Sequence, residues 1–450
     1  EAITTPALVE KTAGVFDRYG ADAWYERPTE EFIPNGLKCP SCGGTAFERE
    51  KNILDVWFDS GSSHEAVLPF RPDLTWPADI YLEGSDQHRG WFQSSLLLGL
   101  GTRGHAPYRQ VVTHGFLLDT DGQKMSKSLG NVISPQDVIK QSGADILRLW
   151  VSMSDYQEET RVSKEILARV AEAYRKIRNT LRYLLSNLYD FNPAGDAVER
   201  THMEEVDQYI LARYGDLSRK IASAYEAYDY STIFQAVNAF ITVDLSAFYA
   251  DVSKDRLYTF AAGSKERRSA QTAMFVMTDG LARLLAPILS FSMEELWRYL
   301  PANREESVHL SLFPSAAEVD ALVDRDLLDT WEHLLRIRTA VNGSLELLRK
   351  EKQIGTSLEA QVHITASGED FALLQRYEKQ LPMLFIVSEV VIERGGTPQQ
   401  DGKTDIGIAV SRASGMKCER CWRYVSALST DPAQTGICDR CQNALAEATS

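Results

Sequence analysis

The stretch Val111-Val-Thr-His-Gly-Phe-Leu-Leu-Asp-Thr-Asp-Gly-Gln-Lys-Met-Ser-Lys-Ser128 decides how this chain is read. Its first part, 111–118, is strand-like, and Asp121-Gly122 supplies a turn. Lys124-Met125-Ser126-Lys127-Ser128 then places two ammonium groups and two hydroxyls on a short loop beside a sheet. That set suits a polyanion whose charge shifts during reaction, such as a triphosphate losing pyrophosphate. Lysines act there as mobile point charges, and loop donors follow the developing negative charge. The competing reading of the same five residues is a solvated basic turn.

Outward from this loop, the 450 residues, 44% hydrophobic, predict two to four domains with ample core. No apolar run approaches the ~18 residues of a bilayer span, so no membrane partner is expected. The net charge of −15 weighs mildly against a nucleic-acid binder, although a local basic groove can hold a phosphate backbone on an acidic protein. The chain opens on Glu1 in mid-pattern, and the expectation is an excised piece of a longer protein.

The six cysteines fall as three Cys-x-x-Cys pairs, Cys39/Cys42, Cys418/Cys421 and Cys438/Cys441. Paired spacing in a long chain reads as metal ligation in a reducing compartment, so a cytoplasmic location is expected. The last two pairs are separated by 16 residues, which fits a closed four-thiolate zinc site. With no open coordination position, that zinc is structural. Lys417, Arg420, Trp422, Arg423, Tyr424 and Arg440 surround it, a mix that fits RNA contact or plain packing. Cys39/Cys42 is a second half-site. It is completed by a pair upstream, or by His64 and a carboxylate, or it binds nothing.

Short apolar runs alternate with turns over 53–120. A strand at 80–83, a helix over about 90–101 and a strand over 111–118 predict a parallel βαβ unit. After Pro135 the pattern turns helical. Ile166, Val170, Tyr174, Ile177, Leu181, Leu184 and Leu188 mark an apolar stripe. Arg169, Arg175, Lys176, Arg178 and Arg182 fill the opposite face. Further amphipathic helices over about 204–228, 231–251 and 266–300 predict an antiparallel bundle. A long helix at 326–352 and strands at 358–366 and 387–393, with a loop at 395–398, predict a small α+β segment. A linker near 411–416 leads to the cysteine module.

Glu83-Gly-Ser-Asp-Gln-His-Arg-Gly-Trp91 lies at a strand's C-terminal end, where ligands of open parallel sheets bind. Glu83 and Asp86 could hold an ammonium, Gln87 a carbonyl or amide, and Trp57 and Trp91 could wall an apolar pocket. The alternative is a charged turn over two core tryptophans. His88, His105 and His114 lack metal-ligand spacing, and no Walker loop, GxGxxG or Ser/His/Asp set occurs.

Together these pieces resemble the class I aminoacyl-tRNA synthetases, and within them the isoleucyl branch of bacterial type. The resemblance rests on residues 54–61, 83–92, 124–132 and 143–150, on Tyr174-Arg-Lys-Ile-Arg-Asn-Thr180 and on Lys417-Cys-Glu-Arg-Cys-Trp422. It runs from about residue 50 to the end. The Lys-Met-Ser-Lys-Ser loop is shared with the valyl and leucyl branches, and the 174–180 helix and the cysteine quartet favour the isoleucyl one.

The resemblance implies a multidomain protein of α/β class. Residues 1–52 would be the tail of an inserted editing region, and 53–150 the second half of a Rossmann-like catalytic domain. Residues 151–320 would be a helical anticodon-binding domain, 321–410 an α+β junction and 411–450 a zinc module. It implies activation of L-isoleucine with ATP and Mg²⁺, and transfer to tRNA(Ile), by a monomer. Lys127 with Lys124 would be catalytic. Glu83, Asp86, Gln87, Trp57, Trp91, Ser126 and Lys127 would hold the adenylate or ATP. The family's His-x-Gly-His motif is absent from this chain, so these residues alone are expected not to activate amino acid. A valyl enzyme, or a non-catalytic tRNA-binding zinc protein, is the alternative.

Overall fold

The structure, a computed structural model, describes residues 2–126, 128–302, 304–395 and 406–447. They form two compact units, divided between Thr113 and His114.

The first unit opens with helix Pro6–Tyr19. Thr5 caps it, its hydroxyl accepting from the Leu8 N–H, and Pro6 takes a first-turn position where no N–H is needed. Phe16, Trp24 and Phe32 meet edge to face, with centroids 5.1–6.3 Å apart, and make a small aromatic core. Val56–Gly61 is a short helix, because the Asp55 carboxylate accepts from the Trp57 N–H at 2.8 Å and caps its first turn. Strands Ala78–Gly84 and Tyr108–His114 pair in a two-stranded sheet. Helix Trp91–Arg103 lies between them in sequence and stops at Gly104, whose φ of +74° gives a left-handed cap.

The strand expected over 111–118 does not run through. Tyr108–His114 ends in the first sheet, and Leu117–Leu118 pairs instead, in parallel, with Thr160–Arg161. Gly115 sits at the break. Its N–H donates to the Tyr156 carbonyl at 2.9 Å, and a Cβ there would lie 2.2 Å from the Glu158 carbonyl oxygen. Only glycine allows the backbones so close. Gly115→Ala is expected to cost about 1–3 kcal/mol through forced backbone movement. A denaturant midpoint unchanged from the parent would contradict this.

The second unit is built on helices. Lys164–Ser186, capped by Ser163, buries Leu167, Val170, Ile177, Leu181 and Leu184 and leaves Arg169, Arg175, Lys176, Arg178 and Arg182 exposed, as its periodicity predicts. Glu205–Glu226, Lys265–Leu285 and Arg325–Lys350 pack with it around one core. Between them Tyr230–Thr259 runs as a continuous helix whose centre, Phe240–Tyr249, widens to π geometry. Its mean hydropathy of 1.3 over 18 residues would suit a bilayer span by composition. However, Ile233, Val237, Phe240, Ile241, Leu245 and Tyr249 are packed in the protein core, and Asp244 pairs with Arg213 at 2.9 Å. This is a core helix. The helix expected over 266–300 is broken after Leu285 and resumes at Ser290–Trp297, because Pro287 lacks the N–H that would continue it.

Strand Ala360–Ala366 is central in a three-stranded sheet. It pairs in parallel with Glu389–Arg394 and antiparallel with Gly407–Arg412. The third strand runs into the start of the linker expected near 411–416. Of the loop at 395–398, residues 396–398 lie outside the described residues. Met416–Lys417 and Tyr424–Val425 form a last hairpin around the first cysteine knuckle.

Candidate functional site

In the first unit, strand Ala78–Gly84 delivers Glu83 to its C-terminal end, and the turn Ser85–Arg89 leads into helix Trp91–Arg103. Glu83 is exposed and accepts from the Gly84 N–H at 3.1 Å. Gln87 is turned inward. Its carbonyl oxygen accepts from the Trp91 N–H at 3.1 Å, capping a helix whose preceding residue, Gly90, has no side chain to do so. Its amide approaches the Asp86 carboxylate at 3.4 Å. A Cβ on Gly90 would meet the Gln87 oxygen at 2.6 Å and the Trp57 ring at 2.9 Å, so glycine lets these two side chains converge. Trp91 stacks on Tyr81, with centroids 4.1 Å apart and planes within 6°, and donates to the Ser60 carbonyl at 2.9 Å. Trp91 is therefore a fixed wall. Trp57 is its opposite, 46% exposed. Trp57, Gln87 and Trp91 are thus brought together, with Glu83 at the strand end and Asp86 on the turn that follows it.

In the second unit, the 119–131 loop is closed by its own side chains. Asp119 accepts from the Asp121 and Gln123 N–H groups at 3.0 and 2.8 Å and from the Asn131 amide at 2.7 Å. The Asn131 side-chain donor, then the Gln123 N–H, hold the Asp119 carboxyl below its usual range. Asn131 in turn accepts from the Ser126 N–H at 2.9 Å. Gly122, with φ of +78°, makes the turn. Met125 packs against the main core, while Lys124 is exposed with its ammonium 3.8 Å from the centre of the Phe116 ring. Lys127 lies outside the described residues. Asp119, Asn131 and Phe116 were not singled out from the sequence. An Asp followed by Asp-Gly was the available signal, since such residues bond the backbone two positions on.

The four C-terminal cysteines converge. Their sulfurs all lie within 4.8 Å of one another, with Cys418–Cys441 at 3.8 Å and Cys421–Cys438 at 3.7 Å. Four sulfurs each 2.3 Å from a tetrahedral zinc would stand about 3.8 Å apart, so the residues fit that metal. Burial raises the Cys418 thiol, but N–H groups of Cys421, Cys438 and Arg420 outweigh it and bring it to about 6. Burial pushes Cys441 up to about 12. Four thiols this close cannot all ionise unless a cation balances them.

Most of the basic collar, which fitted RNA contact or plain packing alike, is turned inward. Arg423 and Arg440 both bond the Asp255 carboxylate, Arg423 at 3.0 Å and Arg440 at 2.9 Å, and Arg420 donates to the Thr259 carbonyl. These contacts dock the module on helix Ala250–Thr259. Trp422 stays 60% exposed, with Lys417 5.5 Å from its ring.

At Cys39/Cys42 the backbone forms a knuckle, with Cys39 N–H to Gly44 carbonyl at 2.8 Å and Gly43 N–H to Cys39 carbonyl at 2.9 Å. The N–H groups of Cys42 and Ser41 lower the Cys39 thiol. His64 does not complete this half-site. It is buried, and its Nδ1 accepts from Trp76 Nε1 at 3.1 Å. Among the described residues the C-terminal quartet is the one cluster of three or more ligand side chains.

Three family descriptions match the chain. "tRNA synthetases class I (I, L, M and V)" covers residues 1–163, "Anticodon-binding domain of tRNA ligase" 207–364, and "Zinc finger found in FPG and IleRS" 415–444. Among curated relatives, the chain is 50% identical to the "Isoleucine--tRNA ligase" of Symbiobacterium thermophilum, over 97% of this chain and 48% of the relative. Against the proteins of that name from Geobacter sulfurreducens and Syntrophotalea carbinolica it is 48% and 47% identical, over 99% and 98% of this chain and 48% of each relative. The chain spans about half the length of these relatives.

Proposed function

We propose, on the premise that this chain belongs to the class I tRNA synthetase family, that it is the C-terminal portion of an isoleucine--tRNA ligase. The whole protein would join L-isoleucine to ATP and pass the acyl group to tRNA(Ile). The observation that carries this reading is the near-complete alignment with isoleucine--tRNA ligases at 44–50% identity.

In the first step the isoleucine carboxylate attacks the α-phosphorus of ATP. A P–O bond breaks, pyrophosphate leaves, and isoleucyl-adenylate forms. Negative charge grows on the leaving phosphates, and the Lys124 and Lys127 ammonium groups, with the Ser126 hydroxyl, are suited to follow it. Mg²⁺ bound with ATP would share the triphosphate charge. Glu83 would contact the adenylate, and Asp86 would lie at the amino-acid end. Trp91, fixed on Tyr81 and Ser60, and the more exposed Trp57 would wall the side-chain pocket, with Gln87 beside the amino-acid end. In the second step the 2′-hydroxyl of the terminal adenosine attacks the acyl carbonyl and AMP leaves. No protein nucleophile is required, so positioning and electrostatics would carry the catalysis.

The exposed basic face of Lys164–Ser186 and the zinc module would hold the tRNA, and the zinc would fix the module's fold. A monomer acting in the cytoplasm belongs to the same reading.

Isoleucine-dependent ATP–pyrophosphate exchange by the full-length protein tests the assignment. Exchange driven by valine and not isoleucine would overturn it. Within that assay, Lys127→Ala is expected to slow adenylate formation by on the order of tenfold or more while tRNA affinity holds. An unchanged rate would remove Lys127 from its role.

A further inference from the structure

We propose that Asp119 and Asn131 are positioning residues that buckle the 119–131 loop, so that Lys124 is presented to the triphosphate from a fixed base. This rests on the reading of the loop as the phosphate-handling element. The two side chains are 12 positions apart and bond directly at 2.7 Å. Each also holds the loop backbone. Asp119 takes the N–H groups of Asp121 and Gln123, and Asn131 takes that of Ser126. Ser126 passes the order on, since its hydroxyl accepts from the Leu129 N–H at 3.3 Å and lies 3.1 Å from the Ser128 hydroxyl. Met125 pins the middle of the loop to the core.

Between these fixed points Lys124 is exposed, its ammonium resting on the Phe116 ring. An exposed cation–ring contact is weak, so the ammonium can leave it for a phosphate oxygen at little cost. Reaction rates are sensitive to such placement, because a displacement of about 1 Å can cost on the order of a hundredfold. The motif residues therefore supply the charge, and a pair flanking the motif sets where that charge stands.

The test exploits the polarity of the pair. Asn131→Asp sets two carboxylates against each other. Asp119→Asn faces the N–H groups of Asp121 and Gln123 with a side chain that cannot accept from them and from Asn131 at once. The double exchange Asp119→Asn/Asn131→Asp restores every strong bond with the donor and acceptor reversed. In the full-length protein each single variant is expected to lose on the order of tenfold to a hundredfold in kcat for isoleucine-dependent ATP–pyrophosphate exchange. The isoleucine KM, the melting temperature and tRNA affinity should stay near the parent's. The double exchange should recover most of the rate. Singles that exchange at the parent rate, or a double no better than the poorer single, would overturn the buckle. A parent protein without isoleucine-dependent exchange would instead remove the functional reading on which it rests.

Discussion

Stripping zinc from the C-terminal quartet is expected to unfold residues 416–447 and detach them from helix Ala250–Thr259. The buried cluster there consists of Cys418, Cys421, Cys438, Cys441 and Ile437, with only Val425 and Leu428 packed against it. Four of those five buried residues are the thiols, so without a metal almost no apolar core remains. Structural zinc contributes an apparent ~10–16 kcal/mol in comparable small modules near neutral pH, more than such a segment could otherwise gather.

Docking should be lost with folding, because Arg423 and Arg440, which grip Asp255, sit beside the cysteines. Burial raises the Asp255 carboxyl, but Arg440 and Arg423 outweigh it and leave it below its usual range. Its contribution to docking is therefore complete above about pH 4 and is lost only in acid, as pH falls through the lowered folded value. Zinc should leave earlier on acidification, because the ligand thiolates take up protons. Hydrogen exchange with and without a chelator is the measurement. Amides of 416–447 that stay protected after the zinc has been removed would contradict the expectation. Asp255→Ala separates the two effects, since the module should then keep its zinc and lose only its seat.

The second large effect is expected from Asp207→Ala. Asp207 is fully buried in helix Glu205–Glu226 and accepts four hydrogen bonds. Two come from the Arg256 guanidinium at 2.7 Å, one from the Tyr249 hydroxyl at 2.7 Å and one from the Ser269 hydroxyl at 2.5 Å. These partners lie on two further helices, so one carboxylate ties three helices together. Alanine leaves the Arg256 guanidinium, 4% exposed, without its counter-charge. Breaking one side of a buried pair costs about 3–5 kcal/mol. Replacing both Asp207 and Arg256 with apolar residues of similar size should cost far less, because no charge is then stranded. Denaturant titration of the three variants checks this. A single-site loss below about 1 kcal/mol, the scale of an exposed ion pair, would show that water reaches the pair. The tie lies within residues 207–364, which match the anticodon-binding description, so on the proposed reading tRNA affinity should fall as the bundle loosens.

Much of this protein was legible where chemistry is local in sequence. The cysteine knuckles repeat at three-residue spacing, and the quartet closes as that spacing requires. The basic and apolar faces of Lys164–Ser186 were visible because helical periodicity sorts them before any tertiary contact forms. The composition of the Lys-Met-Ser-Lys-Ser loop fitted a polyanion or a solvated basic turn, and nothing in the pentapeptide said that Met125 would be its anchor.

What stayed hidden depends on partners far along the chain. Nothing local in the sequence marks Asp207 and Arg256 as a buried pair, since such residues are seldom fully buried without a partner and 49 positions separate them. Arg423 and Arg440 suited RNA contact and packing equally until Asp255, in another element, claimed them. Gly115 looked like one more residue of a strand, and only the Glu158 backbone across from it explains why the strand breaks there. The sequence by itself determined most of the helices, the cysteine quartet and the charged loop, because short-range periodicity and ligand spacing are intrinsic to the chain. The tertiary structure decided which charges are shared, which are buried and which remain free to act, because those outcomes depend on desolvation by neighbours that only folding brings together.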